Sequence, residues 1–164
     1  MEINKEALIV VDYQNWFACK QTNELYVTGW ESLSSIINET MQKVKNKWWI
    51  IIASKDMHRK WNVSFASNFK WKKSITEVWS TDSRAFITYE EINDWTEYAN
   101  WLNKSARFTV EELKIYVKTL WWTLILWPNH CVVNTSWNEY YKDLDTDLID
   151  IEISKWYKLD EHPY

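Results

Sequence analysis

The sequence predicts an α/β fold: a three-layer, mostly parallel sheet with helices on both faces. Three observations predict it. Three apolar, β-branched runs, Ala7-Leu-Ile-Val-Val11, Ile50-Ile-Ile-Ala53 and Thr123-Leu-Ile-Leu126, have the continuous hydrophobicity of strands covered on both faces. Segments of helical period lie between them, so strand and helix alternate along the chain. Each run also ends in polar chemistry: Asp12, then Asp56-Met-His58, then Trp127-Pro-Asn-His130. Open parallel sheets place ligands beyond the carboxyl ends of their strands, so these three ends predict one functional edge.

The elements follow in order. The first strand is expected over 7–12, and residues 13–30 read as a loop ending in Thr28-Gly29-Trp30. Leu33, Ile36, Ile37, Met41 and Val44 lie at helical spacing, which predicts an amphipathic helix over 31–47. A second strand covers 49–54, and a polar loop runs from Lys55 to Asn68. Residues 69–120 are polar and mixed, with Arg84-Ala-Phe-Ile-Thr-Tyr89 as a weak strand. Thr109 and Glu112 stand as N-cap and N3 of a capping box that opens a helix through Leu120. So long a connection inside a compact domain is usually functional. Residues 69–120 are therefore expected to form a lid-like insertion in a single domain spanning 1–164. A third strand follows at 123–126, a short amphipathic piece at 138–144, and a fourth, alternating strand at 148–154 that ends at Lys155.

Composition narrows the partners. The net charge is −4 with no basic block, which argues against nucleic acid. No apolar run is long enough to span a bilayer, so no membrane partner is expected. The polar start, Met1-Glu-Ile-Asn-Lys-Glu6, leads straight into a strand, so no signal peptide is expected. Two cysteines, Cys19 and Cys131, do not make a disulfide framework, and a reduced, cytoplasmic protein is expected. The oligomeric state is open, a homo-oligomer included.

One feature of the composition is abnormal: 14 Trp against a single Gly, where average usage puts Gly at about 7%. Trp48-Trp49 and Trp121-Trp122 each sit between a helix end and a buried strand, where a glycine normally ends the helix. Ser136-Trp137 and Lys155-Trp156 are in turn-like contexts. The pattern predicts that many of these codons are UGA, read as glycine in the source organism.

The strand ends carry the candidate chemistry. Asp56, His58 and His130 supply one carboxylate and two imidazoles, a set that suits Zn²⁺, Mn²⁺ or Fe²⁺ with water completing the shell. An Asp-x-His on its own is more often a surface pair; its place after an apolar run, matched by His130 after another, is what raises it. Asp12 reads as a turn cap or as an acid, and Lys155 as a solvated charge or as a catalytic amine. Together they could flank a nucleophile, the acid taking its proton and the ammonium stabilising the anion. Cys131 adjoins His130 and reads as structural, Cys19 is open between surface thiol and pocket wall, and His162 reads as surface.

These residues resemble the nicotinamidases (pyrazinamidases) of the isochorismatase-like cysteine hydrolase superfamily. The resemblance rests on Ala7-Leu-Ile-Val-Val-Asp12-Tyr-Gln-Asn-Trp-Phe17, Val27-Thr-Gly-Trp-Glu31, Ser54-Lys-Asp-Met-His58 and Val63-Ser-Phe-Ala-Ser67. It continues through Leu126-Trp-Pro-Asn-His-Cys-Val132, Asn134-Thr-Ser-Trp137 and Ser154-Lys-Trp-Tyr157. Trp30, Trp137 and Trp156 fall on positions that are typically Gly in the family, whereas Trp127 is Trp there too. The resemblance implies that Asp12 is the general base of a Cys-Asp-Lys triad and Lys155 its lysine. It implies that Asp56, His58 and His130 hold a divalent metal, Zn²⁺ foremost, that coordinates the pyridine nitrogen. Phe17 and Trp127 would pack on the ring, and the reaction would be hydrolysis of nicotinamide to nicotinate and ammonia through a thioester, within NAD salvage.

Two departures stand out. Where the family has a further His, this chain has Asn62, a poor Zn²⁺ ligand. The family's nucleophilic Cys lies on a strand-to-helix turn well beyond the triad lysine, and this chain ends at Tyr164. The expectation is therefore about the N-terminal three-quarters of the family's domain, inactive on its own. Two further readings stay open: an amidohydrolase of the same superfamily with another carbamoyl or amide substrate, and a non-catalytic metal-binding or partner-binding remnant.

Overall fold

The computed structural model describes residues 6–22, 25–93, 101–104 and 106–155. Trp156 and His162 lie outside them. The chain divides into two compact units, one built from the segments up to Met57 and from Cys131 onward, the other from His58–His130.

The first unit is α/β. Strands β1 (Ala7–Val11), β2 (Ile50–Asp56) and β5 (Ile151–Lys155) form a parallel sheet in the order β1-β2-β5. Val11 lies beside Ser54 and Ser54 beside Ile153, so β2 and β5 run on together for two residues past the carboxyl end of β1. The short helix α1 (Asn15–Ala18) follows β1, and α2 (Ser34–Lys45) precedes β2. The period read over 31–47 is resolved into a 3-10 turn at Trp30–Ser32 and then α2. Met41, Ile51 and Ala53 are fully buried in the core of this unit, with Leu33, Ile37 and Val44 packed against them. A large apolar side chain buried in this way contributes about 1.5–3 kcal/mol.

The sheet face away from that core is apolar and open. Strand residues in register share a face, which puts Ile9 and Val11 on the same side as Ile151 and Ile153. Ile9 is 61% and Val11 57% exposed, and both β5 isoleucines are about half exposed. Among the described residues β1 is also an edge strand. An apolar face beside an apolar edge drives association. The chain is therefore expected to self-associate, with light scattering that rises along a concentration series; a constant monomer mass across the series would contradict this.

In the second unit the remaining strands pair with each other. β3 (Phe86–Thr88) and β4 (Thr123–Ile125) form a separate antiparallel ladder, with Ile87 opposite Leu124. The run expected as a third parallel strand thus leaves the main sheet. Its burial explains why: Leu124 is buried between exposed Thr123 and Ile125, the pattern of a strand covered on one face only. Residues 69–120 supply its partner strand, the short helix α3 (Tyr89–Asn93) and α4 (Val110–Thr119). The capping box is present, with Glu112 N–H donating to Thr109 Oγ1 at 3.2 Å and Thr109 N–H to Glu112 Oε2 at 2.7 Å. Ile87, Ile92, Leu113, Val117, Leu124 and Leu126 are buried together. Among the described residues no helix is long and apolar enough to cross a membrane.

Candidate active site and metal centre

Asp12 is the first residue past β1 and adopts φ +50°. Its N–H donates to the Ser54 carbonyl at 3.1 Å, and the Ser54 hydroxyl donates to Asp12 Oδ1 at 2.7 Å. The Lys155 ammonium donates to Asp12 Oδ2 at 2.5 Å. The sheet order makes this pair, since Lys155 ends the strand on the far side of β2. Two strand spacings are roughly 10 Å, a gap that the long lysine stem helps to bridge. The side chains are 17% and 31% exposed. An ion pair at that exposure contributes about 0–1 kcal/mol, so stability alone is a weak reason to hold it. A carboxylate and an ammonium fixed together at a strand end are competent to take a proton and to stabilise an anion. Positive φ recurs in this unit at Cys131 (+42°), next to His130, and at Asn134 (+63°); such strain gathers at functional sites.

Asp56 closes β2, and His58 follows two residues later. Asp56, His58 and His130 are all buried, and one ligand atom from each lies within 4.8 Å of the others. The two imidazoles have ring centroids 4.5 Å apart, and Phe65 packs at 5.3 Å from His58 and 5.5 Å from His130. His130 Nδ1 is 2.8 Å from the Pro128 carbonyl. That oxygen can only accept, so Nδ1 carries a proton, and the neutral ring of this tautomer would offer its lone pair at Nε2. This is the usual way a metal-binding histidine is oriented. One carboxylate with two imidazoles, buried among aromatic rings, fits a borderline divalent ion such as Zn²⁺.

Asn62 is engaged elsewhere. Its Oδ1 accepts from the Ser64 N–H at 3.0 Å and the Ser64 hydroxyl at 2.8 Å, closing a local turn. Phe17 sits on α1, edge-on to Trp30 with centroids 6.4 Å apart. Trp127 bridges to Phe65 and lies 6.3 Å from the His130 ring. Cys131 is fully buried; burial, followed by the charges of Asp56 and Asp12, pushes its thiol well above the usual range. A thiol held protonated is a poor nucleophile. Cys19 Sγ lies 3.4 Å from Gln21 Oε1. The sequence reading missed Ser54, which tethers Asp12. The signal was slight: the second apolar run turns polar at Ser54, on the sheet face that Val11 shares.

No family model matches the sequence, and no curated protein matches it. Solved structures do. The yeast nicotinamidase bound to the inhibitor nicotinaldehyde is 26% identical with a TM-score of 0.61, the match covering 96% of this chain and 60% of that one. The nicotinamidase/pyrazinamidase of Acinetobacter baumanii is 20% identical with a TM-score of 0.56, covering 97% and 55%. The pyrazinamidase of Pyrococcus horikoshii in complex with zinc is 24% identical with a TM-score of 0.53, covering 98% and 56%. The chain thus spans little more than half the length of these proteins. Across nearly all of its own length, it has the isochorismatase-like hydrolase fold of the nicotinamidases and pyrazinamidases.

Proposed function

We propose that this protein serves the hydrolysis of nicotinamide to nicotinate and ammonia. The observation that carries the reading is the buried Asp56, His58 and His130 group, in a fold shared with a nicotinamidase that binds nicotinaldehyde and a pyrazinamidase solved with zinc. Asp12 is the general base: it takes the proton of a cysteine thiol and returns it to the departing ammonia. Lys155 holds that carboxylate and offsets negative charge beside it. Phe17 and Trp127 pack on the pyridine ring. A divalent ion, Zn²⁺ foremost and Mn²⁺ or Fe²⁺ otherwise, would orient the ring through its nitrogen. Neither Cys131 nor Cys19 is the thiol in this scheme; the resemblance places it beyond Lys155. Residues 69–120 enter as a lid-like insertion, and the setting is cytoplasmic NAD salvage. Asn62, already bonded to Ser64 where the family has a ligand, favours as a second reading another carboxamide substrate for the same residues.

The test is ammonia release by the full gene product, with glycine restored at the glycine-like tryptophans. Equal amounts of ammonia and nicotinate from nicotinamide are expected with at least one of the three metals. Ammonia from other carboxamides but not from nicotinamide would transfer the assignment to the second reading. A folded, metal-loaded protein that releases none from any would leave a non-catalytic remnant.

A further inference from the structure

Two buried amide side chains stand behind the end of β2. Gln14 and Asn138 are essentially inaccessible to solvent. β1 stops at Val11, opposite Ser54, so Asp56 lies past the reach of its neighbouring strand. Gln14 takes that strand's place. Its Oε1 accepts from the Asp56 N–H at 2.8 Å, and its Nε2 donates to the Asp56 carbonyl at 2.9 Å. The same Nε2 donates to the Asn138 carbonyl at 2.7 Å. Asn138 Nδ2 then donates to the Asp56 carbonyl at 2.8 Å and to the Cys131 carbonyl at 2.9 Å. The orientation of both amides is forced. An atom facing one N–H must be the oxygen, and an atom facing two carbonyls must be the nitrogen.

We infer that Gln14 and Asn138 are positioning residues for the metal-binding group, fixing the Asp56 backbone and tying it to the residue that follows His130. This rests on the metal reading proposed above. A carboxylate ligand can be no better placed than the peptide that carries it. Here the Asp56 backbone is held at both its N–H and its C=O by two side chains whose amide hydrogens are all used, one from each on the Asp56 carbonyl and the others on the carbonyls of Asn138 and Cys131. Satisfied buried networks of this kind rigidify what they hold, and outer partners of metal ligands are worth about 10–100-fold in metal affinity.

The test uses Zn²⁺ alone as the probe, on the 164-residue chain at low concentration. Zinc affinity is measured by competition with a chromophoric chelator, and zinc-free melting by tryptophan fluorescence. Gln14→Ala and Asn138→Ala are expected to weaken zinc binding by about 10–100-fold. Asn68→Ala, which removes an equally buried amide from the second unit, is expected to lower the melting temperature but leave zinc affinity short of the roughly 10-fold loss that marks a partner of the ligands. Should the alanine variants fail to fold, the near-isosteric Gln14→Glu and Asn138→Asp keep the acceptors and remove the donors, and the same loss is expected. Folded variants with wild-type zinc affinity would overturn the positioning role while leaving the ligands in place. A wild-type chain that binds no zinc would overturn the metal reading, and this inference with it.

Discussion

Asp12→Asn is expected to lower kcat for nicotinamide in the full gene product by about 10²–10⁴-fold, the usual worth of a positioned general base, with KM changed little. Asparagine keeps the size of the side chain and an oxygen for the Ser54 hydroxyl, which now lies 2.7 Å from Asp12 Oδ1. It cannot accept a proton. The substitution also removes the charge beside Lys155, but that pair is part-exposed and worth about 0–1 kcal/mol. The melting temperature should therefore move little while turnover collapses. Steady-state kinetics with ammonia detection, set beside a melting curve, separates the two effects. Full turnover in a folded Asp12→Asn protein would remove Asp12 from the base role. A loss of turnover that tracked a loss of fold would make it structural.

The second large effect is a gain. Trp48→Gly and Trp121→Gly are each expected to stabilise the chain by roughly 1 kcal/mol. Both tryptophans hold the left-handed position after a helix, at φ +61° and +58°. After α2, Trp48 N–H donates to the Lys45 carbonyl and Trp49 N–H to the Val44 carbonyl; after α4, Trp122 N–H donates to the Val117 carbonyl. This is the helix stop that glycine normally makes. A residue with a Cβ is disfavoured there by roughly 1–2 kcal/mol, against about 0.4–1 kcal/mol for the extra freedom of glycine in the unfolded chain. Burial does not tip the balance back, because Trp48 is 95% and Trp121 90% exposed.

Trp122 behaves differently. It is also left-handed, at φ +77°, but its ring meets Tyr89 edge-on with centroids 4.5 Å apart. Such a pair is worth about 0.5–1.5 kcal/mol, so Trp122→Gly should be near neutral. Urea unfolding of the three single variants checks the ranking, and destabilisation by Trp48→Gly or Trp121→Gly would sink it. The codons give an independent check: UGA is expected at Trp48 and Trp121, and UGG at Trp127, whose backbone is not left-handed. Trp30 and Trp137 also have ordinary φ, so nothing in their backbone calls for glycine.

The sequence by itself was sufficient for the local elements. The three strands of the parallel sheet, the helix ahead of β2 and the Thr109–Glu112 capping box are set by neighbours a few residues apart, through apolar period and side-chain capping. The candidate residues were legible because Asp12, Asp56, His58, His130 and Lys155 each follow or end an apolar run. The helix stops at Trp48 and Trp121 were legible too, because a left-handed stop is a local demand. Tertiary structure decided the rest. It placed β2 between β1 and β5 and so brought Lys155 onto Asp12, a pairing set by sheet order that leaves no trace in spacing. It drew Thr123–Ile125 out of the parallel sheet, since a three-residue apolar run has no period that distinguishes one partner from another. It also turned Gln14 and Asn138, ordinary polar residues in loops, into a clamp on Asp56. A buried amide shows its role only through the atoms it meets, and those atoms come from segments far apart in the chain.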